Sequence, residues 1–422
     1  MEARTIFLII IIIIVFDYFL ERILDFLNIK RIKSELPGEL EGIYDEQKYR
    51  ESQEYKKEND KLSFISSTVS VVAILLMLFL GGFAWVNNIA KSLTTHYILM
   101  PLVFFGILML ASTIISLPFS IYDTFVIEEK YGFNKTTTKT FVLDKIKGIL
   151  LSLIIGGGLF ALILWFYHLT ASMFWIYTWI LLTVFMIFMN MFYSTLIVPL
   201  FNKQTPLPEG ELRNAIEDFS KKVGFKLDNI FVIDGSKRSS KANAYFAGFG
   251  KRKRIVLFDT LIDDMDTGEL VSVLAHEIGH YKKKHTLTGM FISIIQTGLT
   301  LYILSLFISA PELSGALGVE EASFHIGLIA FGILYSPISM LLGLGLNIYS
   351  RKNEYQADRF AAIHYKAQAL IDALKKLSSK NLSNLTPHPV YVFFHYSHPP
   401  LLQRVRALKK IQNNESGNNN HR

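Results

Sequence analysis

The chain has no cysteine among its 422 residues. Disulfides, thiolate metal sites and cysteine nucleophiles are therefore excluded, and any metal must be held by His, Asp or Glu. Charge is also sparse. Asp, Glu, Lys and Arg make up 19% of the residues against 51% hydrophobic, and the mean hydropathy is +0.33. A pair of ordinary soluble domains does not have that balance. No stretch repeats at a fixed period, and none has the Gly-rich spacing of a phosphate-binding loop. Gly156, Gly157 and Gly158 lie inside an apolar run, where small residues serve helix packing.

What the sequence has instead is long apolar runs. Seven stand out, near Thr5–Leu20, Ser63–Trp85, Tyr97–Phe119, Ile146–Tyr167, Ala171–Leu200, Thr286–Ala310 and Phe324–Tyr349. Most reach the roughly 20 residues that a helix needs to cross a hydrocarbon core. The first, all isoleucine from Ile9 to Ile14, is followed by Asp17, Glu21 and Arg22 without a small-residue cleavage pattern. It reads as a retained anchor rather than a signal. A net charge of +7 would, in a soluble protein, raise nucleic acid as a partner. Here all but Arg4 and Lys91 of the 43 Lys and Arg fall in the alternate segments 22–62, 120–147, 201–285 and 350–422. That is the positive-inside pattern. With the N-terminus outside, both large polar regions face the cytoplasm, the partner is the lipid bilayer, and no nucleic acid is expected.

The expected organisation follows. Residues 1–200 hold the first five spans, 201–285 the first part of a polar domain, 286–349 the last two spans, 350–410 the second part, and 411–422 a tail disordered by composition. Segment 22–62 reads as a solvated connector with helical stretches, and Tyr122–Thr138 says little alone. In the polar domain, DNIFVIDGS, ANAYFAGFG and KRIVLF are β-type runs suggesting a small sheet with a hairpin. MDTGELVSVLAHEIGHYKKKHT and RKNEYQADRFAAIHYKAQALIDALKKLSSK have helical periodicity, the second as one amphipathic helix. The fold class is mainly α, polytopic, with a small β-sheet.

The chemistry sits in His276-Glu277-Ile278-Gly279-His280. On a helix, imidazoles at i and i+4 project from one face a turn apart and can reach one ion at about 2.0–2.1 Å. Glu277 then stands beside the open face of the metal as general base. A catalytic site with two histidines needs a third ligand, and Glu354 in NEYQAD offers a carboxylate at a helical position. The interval from His280 to Glu354 contains two expected spans, and an even number of crossings returns the chain to the same side. Asp358, four residues on, either orients a ligand histidine or pairs on the helix surface. Zinc at such a site, one per chain, lowers the pKa of a water to roughly 7, and Glu277 takes its proton during peptide hydrolysis. His285, beside Lys282 to Lys284, reads as interfacial, and His364, His388 and His395 as non-ligands.

Six strings give the chain a closer resemblance: FVIEEKYGFNKTT, PLFNKQTPLPEGEL, ANAYFAGFGKRKRIVLFDTL, LAHEIGH, NEYQAD and HYSHPPLLQRVRAL, in this order. Together they resemble the integral-membrane zinc CaaX prenyl endopeptidases over nearly the whole length. The resemblance implies seven membrane helices forming a barrel around a water-filled chamber, with a gluzincin-like cytoplasmic protease domain that removes the last three residues from a prenylated Cys. It implies His276, His280 and Glu354 as zinc ligands and Glu277 as the base. Asn243, Ala244 and Tyr245 become a strand pairing with substrate backbone, and His398 and Arg404 part of the substrate and oxyanion environment. On sequence alone Asn243 also suits a turn, and His398, beside Pro399 and Pro400, a packed loop. The isoleucine run, absent cysteine and Lys/Asn bias point to a bacterial member in an inner membrane, or to the endoplasmic reticulum in a eukaryote. Bacteria generally lack CaaX prenylation, so the substrate is a peptide or protein C-terminus with or without a prenyl group. Other readings are a membrane quality-control protease with fewer spans, and a seven-helix protein with a regulatory zinc site.

Overall fold

The computed structural model describes residues 2–31, 38, 46–225, 229–248 and 254–419, with backbone alone for Asn229 and 415–419. Among the described residues, six helical stretches are long and apolar enough to cross a membrane: Ala3–Lys30, Glu46–Phe79, Leu99–Lys130, Thr138–Phe201, His285–Phe307 and Phe324–His364. Along Ala3–Lys30, Leu8, Ile12, Phe16, Phe19, Ile23 and Phe26 all stand exposed at steps of three and four. An apolar stripe of that length exposed on one helix face needs lipid as its solvent. The chain is a multi-pass integral membrane protein.

The fourth stretch, 64 residues long, holds two of the seven expected runs. It breaks at Ala171–Met173, where Ala171 has φ 44°, and Gly157–Thr170 and Phe174–Leu196 pack on each other. The long helices touch in cyclic order. Ala3–Lys30 packs on Glu46–Phe79, then come Leu99–Tyr122, Gly157–Thr170, Phe174–Leu196, His285–Phe307 and Phe324–His364, and the last returns to the first. Trp179 fastens one of these joints: its indole donates to the Ile294 carbonyl at 2.8 Å, and a Cβ added at Gly298 would come within 2.7 Å of its ring.

Several boundaries depart from expectation. The second run does not continue to Trp85, because its helix ends at Phe79. Gly81 takes φ 66°, the left-handed region that favours glycine, and Gly82–Leu93 turns aside. Phe83, Val86 and Ala90 of that short helix pack with Ile6, Phe104 and Leu313. The segment 351–380 is not one helix either. Its first half is the end of the 41-residue helix Phe324–His364, and Ala367–Lys380 starts after a break at Tyr365. The membrane helix thus runs unbroken into the polar domain. The expected tail is helical to Asn419, and Leu401–Asn419 buries Leu408 and packs Ile411 against the core of the polar domain; residues 420–422 lie outside the described residues. Composition missed the apolar contact of Ile411, the first residue of that stretch.

Among the described residues the polar domain carries four strands, Gln204–Pro206 (β1), Asn229–Ile233 (β2), Ala244–Ala247 (β3) and Arg254–Phe258 (β4), in the order β1-β2-β4-β3. β2 and β4 are parallel, and the expected hairpin is β3–β4, antiparallel with Tyr245 opposite Val256. β3 is one edge of the sheet and β1 the other. One core joins sheet and helices through Ile216, Ile255, Leu257, Leu274, Ile278 and Ala361.

Candidate metal centre and active site

Helix Thr267–Lys282 carries the two histidines, and its start is fixed by a capping box. Glu269 N donates to Asp266 Oδ1 at 2.8 Å and Asp266 N to Glu269 Oε2 at 2.9 Å. Lys376 Nζ holds the same Glu269 oxygen at 2.6 Å. The helix lies against the distal half of Phe324–His364, and Gly279 sets how closely. A Cβ built there would meet Ala357 Cα at 3.1 Å, Phe360 Cβ at 3.1 Å and Ala357 O at 3.2 Å. A side chain there would have to push these atoms back by a few tenths of an ångström, so glycine favours the approach that brings Glu354 under the histidines.

The result is a tripod. His276 Nε2 and His280 Nε2 are 3.1 Å apart, His276 Nε2 lies 3.4 Å from Glu354 Oε2, and His280 Nε2 lies 3.2 Å from Glu354 Oε1. Tetrahedral donors at zinc bond lengths stand about 3.3–3.4 Å apart, so the three edges fit a single ion. Glu354 is 3% exposed, and its Oε2 has no hydrogen-bond partner among the described residues, a deficit that a cation meets.

Surrounding groups fix both imidazoles. His276 Nδ1 donates to Asp358 Oδ1 at 2.9 Å, leaving the Nε2 lone pair for a metal. Asp358, 1% exposed, also takes a two-pronged contact from Arg404, Nε to Oδ2 at 2.9 Å and Nη2 to Oδ1 at 2.6 Å. Arg404 Nη1 is 3.5 Å from Glu354 Oε2. His280 Nδ1 is 3.1 Å from His285 Nδ1, whose Nε2 reaches Gln356 Oε1 at 3.2 Å. The amide oxygen only accepts, so His285 is protonated on Nε2 and accepts from His280 Nδ1, which again frees the Nε2 of His280. His285 is therefore buried against a candidate ligand, not interfacial. Sequence reasoning missed it because its partners come from two helices. Burial disfavours the imidazolium of His276, but the carboxylates of Asp358 and Glu354 outweigh it and raise its pKa to about 9 without metal.

The tripod opens into a cavity of about 380 Å³, lined also by Glu277, Asn243, Ala244, Phe246 and His398. His398 Nε2 approaches Glu354 Oε1 at 3.3 Å while its ring stays open to the cavity, and Ser397 Oγ contacts its Nδ1 at 3.0 Å. Arg404 borders the cavity but is 9% exposed and occupied by Asp358. On β3 the alternation of a strand separates neighbours: Ala244 lines this cavity, whereas the Tyr245 side chain lines a second one toward the membrane helices. Asn243 sits at the strand's start, its Oδ1 accepting from Ala244 N at 2.8 Å.

The segment before β3 is stitched to the membrane helices by FVIEEKYGFNKTT, uninformative in the sequence by itself. Lys135 N donates to Arg238 O at 3.1 Å, Ser240 N to Phe133 O at 3.0 Å, and Arg238 forks onto Asp144 at 2.7 and 2.8 Å. Lys241 Nζ pairs with Glu128 at 2.9 Å, donates to Tyr55 Oη at 2.8 Å and lies 4.5 Å from the Phe133 ring centre. The Asn381 amide brackets Ala242, accepting from its N at 3.1 Å and donating to its O at 3.2 Å.

Comparison with known proteins bears on the family. Residues 25–203 match the family described as CAAX prenyl protease N-terminal, five membrane helices, and residues 206–412 match peptidase family M48. The chain is 39% identical over 401 residues to a CAAX prenyl protease 1 homolog of Arabidopsis thaliana, covering 93% of this chain and 94% of the relative. It is 36% identical to CAAX prenyl protease 1 of Saccharomyces cerevisiae, covering 90% of each. The crystal structure of S. mikatae Ste24p superposes with a TM-score of 0.90 at 36% identity, covering 97% of this chain and 100% of that one.

Proposed function

The chain belongs to the CAAX prenyl protease family of membrane metallopeptidases, and on that premise we propose that it removes the C-terminal tripeptide of CaaX-type, prenylated substrates using zinc held by His276, His280 and Glu354. The observation that carries the site assignment is the tripod, whose donor atoms all lie within 4.8 Å of one another and open into a cavity shared with Glu277. Zinc there supplies a Lewis acid that polarises the scissile carbonyl and acidifies water. The residues do the rest. Glu277 accepts the proton of the attacking water and returns it to the leaving amine. The substrate lies extended beside β3, where the free edge from Asn243 to Tyr245 satisfies its backbone. His398, on the open side of Glu354, donates to the developing oxyanion. Arg404 acts through Asp358 and Glu354, and Asp358 holds His276 in its ligating tautomer.

The cyclic packing of the long helices, with the 64-residue stretch counted as two crossings, supports a seven-helix barrel around a chamber. Clustering of Lys and Arg on alternate segments supports a cytoplasmic protease domain, in a bacterial inner membrane or an endoplasmic reticulum membrane. The test is cleavage of a farnesylated CaaX peptide and its unprenylated twin by purified protein. Chelator-sensitive release of the tripeptide, lost in Glu277→Gln with zinc retained, is expected. A zinc-loaded protein that cuts neither peptide overturns the reading.

A further inference from the structure

A second cavity, of about 670 Å³, adjoins the first and has no part in the chemistry described above. It lies between helices Phe174–Leu196 and His285–Phe307, under β3. Phe246 and Thr286 line both cavities, so the two meet at the substrate edge of the sheet. Its far end falls short of the joint where Trp179 meets Ile294 and Gly298, the point at which the two helices close on each other. From the proposed proteolysis, on which this inference rests, we propose that this cavity holds the isoprenyl chain of the substrate cysteine during cleavage.

Four features support that occupant. The walls are mainly apolar, and Met186, Met189 and Met290 contribute three of the chain's 11 methionines. Methionine adapts its shape to flexible apolar ligands. Gly289 is a helix-interior glycine, and a Cβ built there meets nothing within 4 Å. The space beside it is therefore open to a ligand. Third, the size suits the cargo, since apolar ligand sites run from about 300 to 1,000 Å³. Last, the strand geometry gives the direction. A peptide added beside β3 sends successive side chains to opposite faces, as Ala244 and Tyr245 themselves go to the zinc cavity and to this one. The cysteine preceding the scissile bond can therefore lower its lipid toward the membrane while its carbonyl stays at the tripod.

The experiment compares wild type with Gly289→Leu, which fills the space, on farnesylated and unprenylated peptides of one sequence. Gly289→Leu is expected to lower the preference in kcat/KM for the farnesylated peptide at least tenfold, and a shorter isoprenyl chain to recover part of it. A photoreactive farnesyl peptide, applied to Glu277→Gln so that it stays intact, is expected to label residues 185–193 and 286–293, which requires no cavity-filling variant to fold. Wild type that cuts both peptides equally, a preference untouched by Gly289→Leu, or labelling elsewhere overturns the lipid site and leaves the protease reading standing. Wild type that cuts neither overturns both.

Discussion

Replacing Gly279 by alanine tests the claim that helix approach makes the metal site. The added methyl would sit 3.1 Å from Ala357 Cα, 3.1 Å from Phe360 Cβ and 3.2 Å from Ala357 O. Comfortable carbon contacts lie at about 3.5–4.0 Å, so the helices must part by roughly 0.4–0.9 Å. Two of the three obstructing atoms are backbone and cannot rotate away. A functional constellation tolerates displacements of about 0.5 Å, so Glu354 should leave bonding range of an ion held by His276 and His280. Overpacking costs about 1–3 kcal/mol, against a gain of at most about 1 kcal/mol in helix propensity, so the net change is destabilising by up to about 2 kcal/mol. Metal affinity should fall about tenfold or more. Competition with a chromogenic chelator reads the affinity, and thermal melting in detergent reads the stability. Gly148→Ala is the control, because its Cβ meets nothing within 4 Å and it should not weaken metal binding. Wild-type metal affinity in Gly279→Ala, with an unchanged or raised melting temperature, would refute the argument.

Three further outcomes are expected. Asp358→Ala removes both the acceptor for His276 and the carboxylate that holds Arg404, so metal affinity should drop about 10–100-fold in chelator competition; an unchanged value shows that Asp358 does not orient His276. Without metal the His276 imidazolium, with its pKa at about 9, contributes stability fully below pH 6.5 and loses it as pH rises through about 9. Metal must displace that proton, so apparent affinity should climb up to tenfold per pH unit from about 6.5 to 9; a flat profile contradicts the assignment. Lys241→Met removes the ion pair with Glu128 and the contact with Tyr55, costing roughly 1–3 kcal/mol, and should raise the KM for peptide more than it lowers kcat with metal content unchanged. A fall in kcat alone would mean that Lys241 does not position β3 for substrate.

Much of the site is local enough to be legible in the chain. His276 and His280 share a helix face because four residues make about one turn, and Glu277 follows from its place between them. Glu354 could be named from the need for a third ligand and the even count of crossings. His285 could not, since what makes it matter is Gln356 and His280 arriving from two other helices. Tyr245 and Ala244 are indistinguishable as sequence, and only the sheet sends one to the membrane side and the other to the metal side.

The sequence by itself determined that the chain is embedded in a membrane, that its metal chemistry uses nitrogen and oxygen donors, and which family it resembles. Hydrophobic run length, absent thiols and short-range helical spacing are properties of consecutive residues. The tertiary structure decided the rest. The 41-residue helix carries Glu354 from the bilayer into the protease domain without a joint, Gly279 lets it approach, and FVIEEKYGFNKTT becomes the brace of the segment that leads into β3. These depend on close approach between segments tens to hundreds of residues apart, fixed by packing and hydrogen bonds that no local pattern encodes.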